Sequence, residues 1–542
     1  MVPENDVPGN DSSRSLIRHG SILSLLTLIS RILGLLREMT KAVFLGTTAL
    51  SDAFSVAFMI PNLFRRLFAE GSIAVAFIPT FKAYLLEENS DLKSASLKEF
   101  LSCFFTFLTF TVTLTVMVGI IITPALVSLF GLEEFEETVF LTRLMFPFLG
   151  LISIAAFFQG ILNSHKIFTP SGLAPILLNI TVIISAYSLK DLTGNPARAM
   201  ATGVLIGGFL EAAIQLPFVL KKGQKFFFVN IKKAFFNPGT RKVLLLIGPT
   251  IIGMAAYQLN DLVSTALAGN AGEGIVSSLQ YSLRMQELIL GIFAVSIGTV
   301  LLPDLTEQAK RFKWELFTER LLSAMNIIAF ICIPITFFFL ARGESLIRLL
   351  FQNQVFDEES VTLTLLAFRF HMPGLYFIAL NRIIAPAFYA QSNTKSPTLA
   401  GIISFGVNII AASLLVIPFK GGGIAFALSL ASLVNTIFLF LFLRKNPQIV
   451  LGDIVKKSIL YSLKMIVFSG FALIPIFFWG DFFESLFSGY HRFISLGIPL
   501  FILALFYGFF GIILLIISRD KYALAAFKLI RRRIDLFGNF SF

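Results

Sequence analysis

Fourteen stretches of this chain are apolar for long enough to cross a lipid bilayer: 22–46, 52–80, 99–125, 138–163, 173–189, 199–220, 243–267, 275–302, 321–341, 361–390, 398–418, 424–443, 459–479 and 495–517. A helix needs about 20 residues to traverse the hydrocarbon. No water is present there, so each crossing backbone must satisfy its own hydrogen bonds, as a helix does. The expected fold is an all-α polytopic membrane protein with 14 transmembrane helices. Composition excludes a large soluble core. The 542 residues are 56% hydrophobic and 14% charged, with 62 Phe, whereas a soluble domain carries roughly 25% charged residues. Pro61, Pro79, Pro147, Pro334, Pro373 and Pro386 lie within spans, where kinks are tolerated if neighbours or water take up the freed carbonyls. Cys103 and Cys332 sit far apart in apolar runs and read as packing residues, not as a disulfide or a metal site.

Loop charge sets the expected orientation. With the N-terminus inside, the inner loops and tails carry about 28 Lys and Arg and the outer loops about 6, in line with the excess of basic residues in cytoplasmic loops. The basic inner segments are Lys221–Lys242, Arg444–Lys457 and Arg519–Arg533; the acidic outer loop is GLEEFEET, 131–138. Both termini are therefore expected in the cytoplasm. The Lys221–Lys242 loop interleaves basic residues with Phe226, Phe227, Phe228, Phe235 and Phe236. That pattern fits an amphipathic segment on an anionic leaflet, with anionic phospholipids as partners and no nucleic acid. The polar N-terminal stretch lacks the basic start and short apolar core of a cleaved signal peptide.

The chain also repeats itself. GSIAVAFIPTF (71–81) resembles VSIGTVLLPDL (295–305), pairing Pro79 with Pro303 at an offset of 224. ILNSHKIFTPSGLAPILLNI (161–180) resembles YAQSNTKSPTLAGIISFGVNI (389–409), pairing Pro170 with Pro397 at an offset of 227. A duplicated six-helix unit has even parity, so its two copies share one orientation and a pseudo-two-fold axis along the membrane normal. The expected organisation is a disordered tail (1–20), a first lobe of helices 1–6 (21–222), a basic amphipathic loop (223–242), a second lobe of helices 7–12 (243–444), two further helices (445–517) and a basic tail (518–542).

Against this apolar background, Ser30–Phe81 carries Arg31, Arg37, Glu38, Lys41, Asp52, Arg65, Arg66 and Glu70. Each ionisable group at bilayer depth costs on the order of 2.5–3.5 kcal/mol by insertion scales. Projected at 100° per residue, Ser30, Arg31, Gly34, Arg37, Glu38 and Lys41 fall in one sector of about 120°. Asp52, Ser55, Asn62, Arg66 and Glu70 share a sector of about 80° on the second span, with Arg65 pointing elsewhere. Ser277, Gln280, Arg284, Glu287 and Gly291 form a third polar stripe on the eighth span. Six cations (Arg31, Arg37, Lys41, Arg65, Arg66, Arg284) stand against four anions (Glu38, Asp52, Glu70, Glu287), a net charge of +2. Some of these are expected to be structural ion pairs, Arg66 and Glu70 at i,i+4 among them. The cationic excess points to a wet cavity for an anionic headgroup, since the guanidinium fork matches phosphate oxygens.

Other groups are less specific. Asp261, beside Gln258 and Asn260, could bind a monovalent cation or carry a proton, and so couple transport to an ion gradient or membrane potential, or could pair with a cavity arginine. Glu211 and Arg382 are similar candidates, with Arg382 the stronger for the cavity, and His371 reads as packed. No nucleotide loop, metal cluster or Ser–His–Asp arrangement is visible in the sequence, so no cofactor is expected and the chain reads as a transporter, not an enzyme.

SRILGLLRE (30–38), SDAF (51–54) and PNLFRRLFAEG (61–71) followed by AFIP (76–79) resemble the MurJ (MviN) family of lipid II flippases, in the multidrug/oligosaccharidyl-lipid/polysaccharide exporter superfamily. Further matching segments are ILN (161–163), APILLNI (174–180), Arg284–Glu287 with GTVLLP (298–303), and LFQ (350–352). The resemblance implies a bacterial inner-membrane protein that moves lipid-linked peptidoglycan precursor from the cytoplasmic to the periplasmic leaflet by alternating access. Its implied partners are lipid II and proteins of cell-wall synthesis and division. The family's functional arginines carry over to Arg31, Arg37, Arg65 and Arg284, and its acidic positions to Asp52 and Glu70. Glu38 stands where the family often has Asp. Leu283 also stands where Asp is frequent, and Lys41 has no counterpart in the pattern. The resemblance further implies that the last two helices form a groove for the lipid tail. Offset by 224, Arg31 corresponds to Ala255, Arg37 to Asp261 and Arg65 to Ile289, so the repeat shares a frame but not a charge pattern.

A lipid-linked diphosphate cannot cross hydrocarbon unaided, because desolvating its charges is prohibitive. The expected mechanism is substitute solvation, with Arg31, Arg37 and Arg284 holding the diphosphate. The alternatives are a related exporter of drugs or O-antigen-type lipid-linked glycans, a lipid-phosphate enzyme, which would need a nucleophile or acid cluster not seen here, and an envelope scaffold indifferent to cavity charge.

Overall fold

The structure, a computed structural model, describes residues 10–66, 76–86, 91–449, 451–525 and 528, with side chains at all of these except 10–24, 91–95 and 249–257. Helices follow one another along the chain: α1 Asn10–Leu45, α2 Ala49–Arg65, α3 Ile78–Leu86, α4 Asp91–Val127, α5 Phe135–Met145, α6 Pro147–Ser164, α7 Thr169–Thr193, α8 Pro196–Lys221, α9 Ile231–Phe236 and α10 Pro238–Gly269. They continue with α11 Ile275–Ile292, α12 Ala294–Lys310, α13 Trp314–Phe351, α14 Glu358–Tyr389, α15 Lys395–Leu443, α16 Leu451–Leu486, α17 Arg492–Ser495 and α18 Gly497–Ile517. Among the described residues there is no strand. Each expected span falls on helix where it is described, residues 67–75 of the span 52–80 lying outside the described residues, and ten helical stretches are long and apolar enough to cross a membrane among the described residues. Two expected spans, 398–418 and 424–443, run together as α15 across Lys420 (φ 45°, ψ −127°). The span 138–163 is divided at Phe146–Pro147 and 275–302 at Phe293.

The chain divides into two compact units, Met1–Ser277 and Ser278–Phe542. The division falls later than the 223–242 loop, so α10 goes with the first unit. Both of its ends are tied there. Asn270 Nδ2 donates to the Leu129 carbonyl at 3.1 Å, and Gly269 and Gly239 lie too close to Phe130 and Phe100 to carry a Cβ. At the chain start, helix begins at Asn10, inside the stretch expected to be a disordered tail; residues 1–9 lie outside the described residues.

In the first unit, α5 is joined to α8 by a bidentate pair. Arg198 Nε and Nη2 donate to the two Glu137 oxygens at 2.8 and 2.6 Å, so one of the four glutamates of GLEEFEET ties helices together. The core is rich in phenylalanine, with Phe77, Phe100, Phe104 and Phe157 in ring contact. The basic loop is pinned to α4. The Phe227 and Val229 amides donate to Ser102 Oγ and Thr106 Oγ1, and Phe226 packs on Phe105. Phe227, Phe228, Phe235 and Phe236 remain exposed, with Lys98 and Arg241 over two of the rings.

The sequence repeat recurs as backbone in each unit. α6 ends at a left-handed Lys166 (φ 60°), with the Ile167 amide donating to the Leu162 carbonyl at 2.9 Å. α14 ends at a left-handed Ser392 (φ 58°), with the Asn393 amide donating to the Phe388 carbonyl at 2.9 Å. This is one C-terminal capping motif twice, normally a glycine position. In each copy a proline, Pro170 or Pro397, sits in the first turn of the next helix.

In the second unit the two additional helices dock on α13. α13 kinks at Arg342 (φ −123°, ψ 17°), and its guanidinium reaches α16, donating to Glu484 Oε1 at 3.2 Å and to the Ile476 carbonyl at 3.1 Å. Gly480 leaves room for that guanidinium, which a Cβ would strike. Tyr507 of α18 donates to the Pro334 carbonyl at 3.0 Å, and Lys464 pairs with buried Asp520 at 2.8 Å. The chain after α18 is therefore anchored as far as Asp520; 526–527 and 529–542 lie outside the described residues. Arg342→Leu removes a donor from the part-buried Glu484 and is expected to lower stability by about 1–3 kcal/mol. Thermal unfolding of the purified chain in detergent checks this, and an unchanged midpoint contradicts it.

Candidate functional site

The N-terminal helix displays its charge on one side. Leu25, Leu28, Ile29, Ile32 and Leu36 are exposed. At 100° per residue they form a stripe about opposite the sector of Ser30, Arg31, Gly34, Arg37, Glu38 and Lys41. An exposed leucine–isoleucine stripe on a membrane helix is a lipid face, so the charges turn away from lipid, as their desolvation cost requires. Arg31, Arg37 and Glu38 are half-buried, and Lys41 is 2% exposed. Arg37 pairs with Glu38 (Nη2 to Oε1, 2.8 Å) and lies over the Phe58 ring of α2 at 5.5 Å. The Ser30 carbonyl accepts from Asn179 Nδ2 at 3.2 Å, which fixes α1 against α7.

α2 starts on a side-chain cap, Thr48 Oγ1 accepting from the Ser51 amide. Behind it the chain buries Ser51, Asp52 and Ser55. Lys41 Nζ donates to Ser55 Oγ, and Ser55 Oγ in turn donates to the Ser51 carbonyl. Asp52 is 2% exposed, with both carboxylate oxygens occupied. Oδ2 accepts from the Gly274 amide and Oδ1 from the Ser277 amide, each at 2.8 Å. These amides open the first turn of α11, where backbone N–H groups lack helical partners and favour an anion. The Ala49 amide donates to Glu273 Oε1 at 2.8 Å, beside the same turn.

The structure therefore separates the sequence-selected residues. Arg31, Arg37 and Glu38 share one face of α1. Asp52, expected to line the cavity, is instead an interhelical cap, because two amide donors occupy its carboxylate. Arg65 is half-buried at the far end of α2, its Nε donating to Asn62 Oδ1 at 2.7 Å. Glu70 lies outside the described residues. Asp261 is half-buried on α10, and Glu211 is buried on α8. In the second unit, Arg284 is half-buried and reaches Glu287 at 3.4 Å, while Arg382 is exposed on α14. His371 is buried, with Nδ1 bonded to Ser282 Oγ at 2.7 Å, so it packs as expected. Sequence reading missed the role of Lys41 as a buried tie and missed Gly274 and Ser277 as partners of Asp52. The tie was legible as Lys41 and Ser55, both on polar sectors of neighbouring spans.

Between residues 31 and 66, five cations (Arg31, Arg37, Lys41, Arg65, Arg66) stand against two anions (Glu38, Asp52). Asp52 is already satisfied by amides, and Arg37 pairs with Glu38 at 2.8 Å. The balance suits an anionic ligand with several oxygens. No cluster of three or more potential metal ligands occurs among the described residues.

Asp52→Ala leaves two buried amides without an acceptor, at a cost of about 1–3 kcal/mol each. Asp52→Asn keeps one acceptor oxygen and should fall between Ala and wild type. Ranking the three proteins by thermal unfolding in detergent checks this; equal midpoints contradict the cap.

A family model described as lipid II flippase MurJ matches residues 41–496. A probable lipid II flippase MurJ of Treponema pallidum is 48% identical over 522 residues, covering 96% of this chain and 99% of the relative. The lipid II flippase MurJ of Burkholderia cenocepacia is 32% identical over 441 residues, covering 78% and 82%. A solved structure of lipid II flippase MurJ in an inward closed conformation superposes with a TM-score of 0.74 at 26% identity, over 91% of this chain and 98% of that one. An inward-facing multidrug transporter of the MATE family shares the fold alone, with a TM-score of 0.60 at 15% identity over 81% and 99%. By the family model, these identities and the shared fold, the chain belongs to the MurJ lipid II flippase family.

Proposed function

We propose that this protein is a flippase that carries lipid II, the lipid-linked peptidoglycan precursor, from the cytoplasmic to the periplasmic leaflet of the inner membrane. The observation that carries this reading is the charged face of α1, basic in balance and turned away from the lipid stripe. A relative matched over nearly the whole length bears the flippase name. A diphosphate brings about two negative charges that hydrocarbon will not solvate. Arg31 and Arg37 replace that solvation with fixed donors, Arg37 held in place by Glu38 and Phe58. Ser30 and Arg65 border the same region, and the polyprenyl tail stays in lipid or against the two C-terminal helices. Arg284 and Arg382 are the second unit's candidate cations, and the part of Arg284 is tested by its own variant. Alternating exposure of the charged face to the two sides then moves the headgroup without carrying bare charge through lipid.

The same reading places both termini in the cytoplasm, with the exposed Phe227, Phe228, Phe235 and Phe236 seated in the cytoplasmic leaflet among anionic phospholipids. Asp261 is the candidate for coupling to a monovalent cation or to membrane potential; Asp261→Asn should then flatten the dependence of flipping on an imposed gradient. In cells depleted of their own flippase, the chain should restore lipid II to the outer face of the membrane. Arg31→Ala, Arg37→Ala and Arg284→Ala, each expressed and inserted at wild-type level, should lower that signal roughly tenfold or more, as a loss of about 1.4 kcal/mol would. Normal flipping by Arg37→Ala removes the site assignment. Failure of the wild-type chain, together with restored export of another lipid-linked glycan, favours the related exporter.

A further inference from the structure

The second unit encloses a cavity of about 1020 Å³ between α13, α14, α15 and α16. That is at the upper end of the roughly 300–1,000 Å³ of ligand pockets. No α18 residue lines it, so it is distinct from the surface between the two C-terminal helices. Its long axis follows the helices. On α15 it runs from Leu433 to Arg444, and on α16 from Gly452 to Ile466. At 1.5 Å per residue these are depths of roughly 16 and 21 Å. Half of a hydrocarbon core is about 15 Å. The depth of the cavity below Arg444 and Gly452 therefore matches the thickness of about one leaflet.

Its wall offers nothing to a polar guest. The hydroxyls that line it already have partners. Thr336 donates to the Met372 carbonyl at 3.3 Å, Tyr376 and Ser462 bond each other at 2.7 Å, and Thr436 donates to Asn381 Oδ1 at 2.8 Å. Ser458 also lines it, its carbonyl accepting from Ser462, and the remaining wall below Arg444 is Leu, Ile, Val and Phe with Pro373 and Gly452. Charge appears only at the mouth. Arg444 caps the end of α15, is exposed, and has no ion pair among the described residues; Lys456 is exposed one turn into α16. A cation at the headgroup level over an apolar, leaflet-deep slot is complementary to one molecular class.

We propose that this cavity is a binding site for a single glycerophospholipid of that leaflet, with an anionic headgroup. The acyl chains fill the slot between α13–α15 and α16, and Arg444 takes the headgroup phosphate. The bound lipid completes the packing of α16 onto the rest of the unit. A polyprenyl chain is a poorer fit, because the slot is about one leaflet deep and a long single chain would overrun it.

Gly452 provides a clean test. Gly452 lines the mouth and a Cβ placed there meets nothing within 4 Å, so the position accepts a side chain at its base. The full chain is purified in detergent, its retained lipid is extracted, and phosphorus and lipid identity are measured per chain. Phosphatidylglycerol and phosphatidylethanolamine are then titrated back and counted by native mass spectrometry. Wild type should keep about one glycerophospholipid and rebind phosphatidylglycerol in preference, Arg444→Gln should lose that preference, and Gly452→Trp should lose retention, each by roughly tenfold, a 1.4 kcal/mol effect. Gly452→Ser, too small to fill the mouth, should retain lipid like wild type. An empty wild-type cavity, equal retention by Gly452→Trp, loss in Gly452→Ser as well, or recovery of a polyprenyl phosphate in place of a phospholipid would each overturn the proposal. None of these outcomes depends on whether the chain flips lipid II.

Discussion

The cost of placing charge in hydrocarbon governs this molecule. A helix such as α1 cannot carry Arg31, Arg37, Glu38 and Lys41 toward lipid, and it does not. Its exposed stripe is Leu and Ile, and the charges lie on the other side. Once turned inward, each charge meets a different fate. Lys41 and Asp52 are buried and satisfied, one by Ser55 and the other by two amides of a helix start. Arg31 and Arg37 stay half-buried. The first pair ties helices of the unit together. In the proposed function, the half-buried Arg31 and Arg37 are the charges that meet the ligand.

The two units share local devices but use them differently. The same left-handed cap ends α6 at Lys166 and α14 at Ser392, each followed by a helix with proline in its first turn, in line with the sequence repeat. Upon the second copy the chain has added α16 and α18, and it holds them with polar staples: Arg342 to Glu484, Tyr507 to the Pro334 carbonyl, Lys464 to Asp520. Such contacts suit a setting where apolar surfaces gain little from meeting each other, because lipid is as apolar as leucine. The kink at Arg342 and the missing side chain at Gly480 are parts of the same fastening. The leaflet-deep cavity lies between the added α16 and the repeated helices.

The helical architecture was legible because apolar runs of spanning length have one structural solution, and the charged sector of α1 because helical periodicity is fixed. The basic loop's interleaved phenylalanines were legible, and four of them are exposed. What pairs with each charge was not legible. Asp52 looked like a cavity carboxylate, since nothing in SDAF announces that Gly274 and Ser277, more than two hundred residues later, will present amides to it. Lys41 matched no family pattern and so read as incidental, yet its burial makes it a tie between helices. The division at Ser277 was hidden for a similar reason: the repeat's arithmetic assigns α10 to the second copy, while contacts to Leu129, Phe130 and Phe100 hold it in the first unit.

The central claim is that the charged face of α1 is wet and holds the lipid-linked diphosphate. It is tested most directly by single cysteines along that helix, in a chain with Cys103 and Cys332 replaced, treated with a membrane-impermeant thiol reagent. Cysteines at Arg31 and Glu38 should label, and added lipid II should protect them, while cysteines at Ile32 and Leu36 should stay unlabelled. Labelling at Ile32 and Leu36, or none at Arg31 and Glu38 from either side of the membrane, would contradict the claim.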